Sequence, residues 1–195
     1  MDNLTDNYIW KSLKEGDLHA FSVLFETYYP RLYSYGLKIS SNKTVTEDSL
    51  QDFFLYIYDH RQNLSDLDTI APYLFTAYKR FLLKVLKANS KFKHTDFTAE
   101  NFVDIQFTAE ELMTKQETES FKNKNLSGLL NKLPKRQKEA IYLKYYSGLK
   151  AKEISEIMDI NYQSVVNTLH KAIKSLKQEI SIISYLINIY YKYRV

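Results

Sequence analysis

Apolar residues recur at helical spacing over most of this 195-residue chain. "DLHAFSVLFETYYPRLYSYGLKI" places Phe21, Leu24, Phe25, Tyr28 and Leu32 on one face, which predicts an amphipathic helix. In "SSNKTVTEDSLQDFFLYIYDHRQNL" the apolar face is Leu50, Phe53, Phe54 and Ile57. Thr44, followed three residues later by Glu47, is a capping signature that would start this second helix. A third helix is expected from about Ile70 to Leu86, with Pro72 tolerated in its first turn. From Lys87 to about Lys124 no apolar period persists, and the text reads as a linker with some local helix. Periodicity returns at Asn125 and continues through "LSGLLNKLPKRQKEAIYLKYYSGL". The expected fold is all-α: two small helical domains, residues 1–93 and 125–195, joined by an acidic linker over 94–124.

"KAKEISEIMDINYQSVVNTLHKAIKSL" is the most informative stretch, because it reads as two short helices joined by a tight turn. Ile154, Ile157 and Met158 face inward in the first helix. Val165, Leu169, Ala172, Ile173 and Leu176 form one buried stripe in the second. The opposite face then carries Gln163, Asn167, His170, Lys171 and Lys174, with Val166 at its edge. Amides near the N-terminal end can bond adenine bidentately, and lysines further along can neutralise phosphates, as in a helix lying in the major groove. Asp159 occupies the turn where glycine is usual; Asp tolerates the left-handed conformation better than most residues. A helical hairpin with a polar outer face would show a similar pattern.

Composition narrows the function classes. The chain is 45% hydrophobic and 26% charged, with only 4 glycines and 3 prolines, which favours a helical globular protein over disorder or hairpins. Cysteine is absent, so disulfides, thiolate metal sites and a cysteine nucleophile are excluded, and four scattered histidines have no metal-ligand spacing. The N-terminal stretch lacks a basic start and an apolar run, so a cytoplasmic protein without a secretory signal is expected. Charge is unevenly spread. Residues 126–195 hold 12 basic side chains against 5 acidic, and residues 61–95 hold 7 against 2, whereas residues 96–119 hold seven acidic residues and one lysine. Two basic patches set apart by acidic stretches suit a long anionic partner.

The residues around the helical pair carry a family resemblance. "LLNKLPKRQKEAIYLKYYSGLKAKEISEIMDINYQSVVNTLHKAIKSL" resembles the C-terminal domain of sigma-70 family transcription initiation factors at Leu133-Pro134, Gly148, Glu153-Ile154, Ile160, Ser164-Val165 and Ala172. "TEDSLQDFFLYIY" resembles the helix of the second conserved sigma region, and "APYLFTAYKRFLLKVLK" the promoter-melting segment that follows it. All three occur in family order, and two domains alone suggest the short extracytoplasmic-function type.

The resemblance implies roles for named residues. Asp48, Gln51, Asp52 and Tyr58 would dock on core RNA polymerase. Tyr73, Tyr78, Lys79, Arg80, Lys84 and Lys87 would hold the opened strand at the minus-ten element, where aromatic faces replace lost stacking and cations follow the backbone. Phe75 and Phe81 are read as core. Family members usually carry Asn where Arg80 stands and Asp near Lys84; both departures add positive charge and favour backbone contact over base reading. Gln163, Ser164, Val166, Asn167, His170, Lys171 and Lys174 would meet the minus-thirty-five element, Val166 through a thymine methyl. The acidic linker would thread toward the RNA exit path of the polymerase. The implied protein is a bacterial alternative sigma factor, not an enzyme, with no cofactor or metal. It would be monomeric when free, with promoter DNA and core polymerase as partners and an inhibitory anti-sigma protein as a further candidate. The competing readings are a stand-alone helix-turn-helix regulator that binds a palindrome as a dimer, and an all-helical interaction module with no DNA role. The tail "ISIISYLINIYYKYRV" has twelve uncharged residues at 180–191, too few to span a membrane. It is expected to fold as a last helix onto the second domain, with an anti-sigma protein or a membrane surface as alternative covers.

Overall fold

A computed structural model describes residues 3–67, 69–89, 104–108 and 120–192. Among these residues all regular structure is helical, and the chain divides into two compact units, residues 1–103 with 152–160 and residues 104–151 with 161–195.

The first unit begins with α1 (Asn3–Lys14), α2 (Leu18–Ser40) and α3 (Lys43–Asp59), followed by a single 3-10 turn (Arg61–Asn63) and α4 (Ile70–Asn89). Helix α2 lies against α1, α3 and α4 and forms the spine of the unit. Its Leu24, Tyr28, Leu32, Tyr35 and Ile39 are buried at three- and four-residue spacing, the periodicity that a single apolar stripe requires. Phe21 and Phe25 are half-buried and lie over Phe54 of α3, with ring centroids 6.4 and 4.9 Å away. Asp17 caps α2 by accepting the His19 amide at 2.8 Å. The start of α3 differs from expectation. Its cap is Asn42, whose Oδ1 accepts the Val45 amide at 3.1 Å, and Thr44 is already inside the first turn.

Helix α4 enters the core through Ile70, Leu74, Phe75, Tyr78 and Leu82. It approaches α2 closely at Gly36, where a β-carbon would stand 2.4 Å from the Tyr78 hydroxyl oxygen. Only glycine leaves room there. The same hydroxyl lies 3.3 Å from Ser49 Oγ and donates to the Thr46 carbonyl at 3.4 Å, so one side chain of α4 meets both α2 and α3.

The second unit contains α5 (Ser120–Lys132) and α6 (Lys135–Ile141), a π-helical turn (Tyr142–Tyr146), and α8 (Tyr162–Lys192). Leu133-Pro134 separates α5 from α6, because Pro134 has no amide to continue the first helix and a backbone suited to start the next. Leu129, Leu130, Ala140, Ile141, Leu143 and Leu149 form the core with Val165 and Ala172 of α8. Residues 104–108, within the stretch expected as linker, belong to this unit, with Ile105 and Phe107 buried. The tail does not form a separate last helix. No glycine or proline interrupts the text after Gly148, and α8 runs unbroken for 31 residues to Lys192.

Helix α7 (Ala151–Met158) precedes α8 in the chain and buries Ile154, Ile157 and Met158. It ends in a left-handed residue, Asp159, at φ 52°. The Ile160 amide reaches back to the Ser155 carbonyl at 3.0 Å and the Asp159 amide to Glu156 at 3.4 Å, the paired bonds of a Schellman stop. The sequence expectation that Asp159 takes up this conformation is met. Asp159→Gly is expected to remove left-handed strain and stabilise the chain by about 0.5–1 kcal/mol, a rise in Tm of roughly 1–4 °C. Thermal denaturation checks this; a fall in Tm would mean that the Asp159 side chain contributes more than its backbone costs.

Candidate nucleic-acid interface

Three exposed helix faces carry the residues singled out from sequence. The first is on α8. Asn161 caps this helix: its Oδ1 accepts the Ser164 amide at 2.8 Å, an interaction worth about 1 kcal/mol. The cap fixes where the helix begins, and at 100° per residue Gln163, Asn167, His170 and Lys174 then fall on one face. All four are exposed, with Lys171 on one flank and half-buried Val166 on the other. Gln163 Nε2 donates to Asn167 Oδ1 at 3.2 Å, which ties the two amides together near the positive end of the helix dipole. Ser164 lies well round the helix and is half-buried. On the inward side Val165 and Ala172 are buried, while Leu169, Ile173 and Leu176 are half-buried.

The second face is on α4. Tyr73, Arg80, Lys84 and Lys87 share one side of the helix over about 21 Å, since their spacings of seven, four and three residues return to nearly the same angle. Arg80, Lys84 and Lys87 are exposed, and Lys79 is half-buried off this line. Tyr73 is held edge-on by Trp10 at 5.3 Å between centroids, and Trp10 is itself fixed by donating to the Ser65 carbonyl at 2.8 Å. Burial, with Tyr56 nearby, raises the Tyr73 phenol above its ordinary range. Tyr78 does not belong to this face. It was expected to hold an unpaired base, but it sits about 140° round the helix, fully buried against Gly36, Thr46 and Ser49. Phe75 is buried, as expected, and Phe81 is half-buried 5.9 Å from Phe53.

The third face is on α3. Asp48, Gln51 and Asp52 are exposed and adjoin Asp59 on one side of the helix. Leu55, which sequence reasoning passed over, lies in their midst with 59% of its surface exposed, giving an apolar centre ringed by carboxylates. Tyr58 is not part of it. Its ring is half-buried beside Phe21 at 5.0 Å, and the Arg61 guanidinium lies 4.4 Å above it.

A cleft of about 530 Å³ between α1 and the loop after α3 was also absent from the sequence reading; Asn7, Trp10, Lys11, Lys14, Gln62 and Asp66 are among its lining residues. Lys14 reaches Asp66 at 2.5 Å and holds that exposed carboxyl below its usual range. Its residues are scattered over 60 positions, and no local motif connects them. Among the described residues no group of His, Asp and Glu is placed to hold a metal, and no helix is long and apolar enough to cross a membrane.

Residues 124–176, which span α5 to the first half of α8, match the family model for sigma-70, region 4. Over 157 residues the chain is 26% identical to the ECF RNA polymerase sigma factor SigM of Bacillus subtilis, covering 79% of this chain and 91% of that one. Residues 124–176 thus carry sigma-70 region 4. The chain is similar over most of its length to an extracytoplasmic-function sigma factor, and the matched region 4 carries the Gln163–Lys174 face. Its fold is that of CnrH, solved in complex with the cytosolic domain of CnrY, at a TM-score of 0.62 and 14% identity, covering 93% of this chain and 99% of that one. The sigma factor RpoE of Bartonella quintana, solved with the anti-sigma factor NepR, superposes at a TM-score of 0.55 with 17% identity, over 83% and 97% of the two chains.

Burial pushes the Tyr78 hydroxyl up to about 12, with the Ser49 hydroxyl acting against the rise. Tyr28 is raised in the same direction, by burial first and then by the Asp6 carboxylate. The folded chain holds the Tyr78 proton to higher pH than the unfolded chain, whose phenols titrate near 10.0. Stability is therefore complete below pH 10 and falls as the pH rises toward 12, by on the order of 2–3 kcal/mol from Tyr78. Tyr78→Phe should flatten part of that fall in urea titrations from pH 9 to 12. An unchanged slope would show that the phenol titrates alike in the folded and unfolded chains.

Proposed function

We propose that this chain is an alternative sigma factor that binds core RNA polymerase and directs it to a set of promoters. The observation that carries the reading is the coincidence of the region 4 match with an exposed amide-and-cation face on the Asn161-capped helix. In this reading residues 1–93 serve polymerase docking and the minus-ten element, residues 125–195 meet the minus-thirty-five element, and the acidic stretch between them connects the two, with residues 104–108 packed on the second unit. Gln163 and Asn167 read base edges, with His170 alongside them; Lys171 and Lys174 hold phosphates; Val166 packs against a thymine methyl. Tyr73 with Arg80, Lys84 and Lys87 receives the separated strand, the ring by stacking at about 1–3 kcal/mol per base and the cations by charge. Asp48, Gln51 and Asp52 around Leu55 dock on the polymerase, the leucine as a buried anchor and the carboxylates as a rim.

The polymerase supplies the catalysis, and the sigma factor supplies position. It works in the bacterial cytoplasm as a monomer when free. An anti-sigma protein is a further partner, by analogy with the solved complex of the RpoE relative.

Run-off transcription with purified core polymerase and genomic promoter DNA tests the reading. Initiation should depend on both proteins, and Leu55→Asp should abolish it while leaving the circular dichroism spectrum unchanged. Tight binding of the isolated protein to a palindrome, without polymerase-dependent initiation, would establish the dimeric regulator instead. Within the holoenzyme, Asn167→Ala should cost on the order of 1–3 kcal/mol at one base position. Lys174→Ala should weaken all sequences evenly and lower the salt slope by about 1. If the two variants behave alike, the reading face is misassigned.

A further inference from the structure

Residues Asp104–Thr108 lie in a groove of the second unit like a bound peptide. Their side chains alternate: Ile105 (0% exposed) and Phe107 (3%) point in, while Gln106 and Thr108 are exposed. Period-two alternation is that of an extended strand with one buried face. The backbone is recognised by a side chain. Asn131 of α5 accepts the Phe107 amide through Oδ1 at 2.8 Å and donates to the Phe107 carbonyl through Nδ2 at 2.9 Å. A single carboxamide thus replaces the pair of bonds that a neighbouring strand would make. At one end Asp104 forms an ion pair with Lys138, whose side chain is only 4% exposed. At the other, the Phe107 ring packs 5.4 Å from Tyr146, which stacks parallel on Tyr142 at 5.5 Å within the π turn. These contacts read a charge, two apolar side chains and the backbone between them.

We propose that this groove is a peptide-binding site occupied in cis, and that its ligand class is an extended segment bearing an acidic residue with apolar residues one and three positions later. The Asp104–Thr108 segment is a latch, and a partner polypeptide of that pattern binds the second unit by exchanging with it. The pattern is chemically selective. Lys138 needs a carboxylate opposite it, because a buried ammonium without one is strongly unfavourable. Asn131 needs an extended backbone, because a helix would use those two groups internally. This inference concerns residues outside the three faces assigned to DNA and polymerase, and it does not depend on those assignments.

The full-length chain tests it in two ways. In native-state hydrogen exchange of the unaltered protein, the Phe107 amide should exchange at least 10-fold faster than the amide of Leu143 in the core, because the latch opens without unfolding the unit. Equal protection of the two amides would make the segment an integral part of the core and overturn the proposal. In the second test, a chain with Ile105→Ala and Phe107→Ala is titrated with the synthetic peptide Asp-Ile-Gln-Phe-Thr, blocked at both ends. The weakened chain should bind it at least 10-fold more tightly than the unaltered chain does, and adding Asn131→Ala should remove that gain. A weakened chain that keeps its helical spectrum but ignores the peptide would overturn the proposal. So would equal binding to both chains, or equal binding of a peptide with Lys in place of Asp.

Discussion

The first unit is organised by the contact between Tyr78 and Gly36. The phenol fills the space that a β-carbon at Gly36 would occupy and bonds the Thr46 carbonyl, so α2, α3 and α4 converge on one ring. A helix has a single rotational freedom about its axis, and burying Tyr78 sets it for α4. With that residue inward, Tyr73, Arg80, Lys84 and Lys87 face outward by helical geometry alone. The same hydroxyl sets the phase of α3, because Thr46 and Ser49 face it while Asp48, Asp52 and Leu55 lie on other sides of that helix. One buried contact thus orients a cationic surface and an anionic one.

Much of this was legible in the sequence. The apolar stripes of α2, α3 and α4 depend on local spacing, and the structure follows them closely. The Asp159 turn was legible because so few residues accept a left-handed backbone, and the outward face of α8 because its opposite side is apolar. What escaped has physical causes. Tyrosine has an apolar ring and a polar tip, so Tyr78, set among cations, suited a strand-holding face as well as a core. Its burial depends on Gly36, 42 positions away in the chain. Tyr58 was claimed by Arg61 and Phe21, a tertiary choice that periodicity does not encode. Leu55 was overlooked because an apolar residue on a polar face reads as noise until its exposure is seen.

The acidic stretch shows a different limit. Ile105 and Phe107 are two apolar residues at strand spacing in polar text, too short a run to register as an element. Their partners, Asn131 and Lys138, come from helices that begin later in the chain. The Asn42 cap, by contrast, was a local competition that sequence could have weighed. Asn42 and Thr44 both favour helix starts, and the earlier residue prevailed by bonding the Val45 amide.

Helix α8 is one rod from Tyr162 to Lys192, about 46 Å long. Its first turns present Gln163 and Asn167, and its last turns lie well away from them. A continuous helix resists bending, so tilt applied at one end is delivered at the other as leverage. Shifting the far end by about 8 Å would swing the axis through roughly 10° about its first turn, if the rod pivots there. The base-edge contacts proposed for these amides would tolerate little angular error, so a partner gripping the far end of the rod would exert torque on the Gln163–Asn167 end.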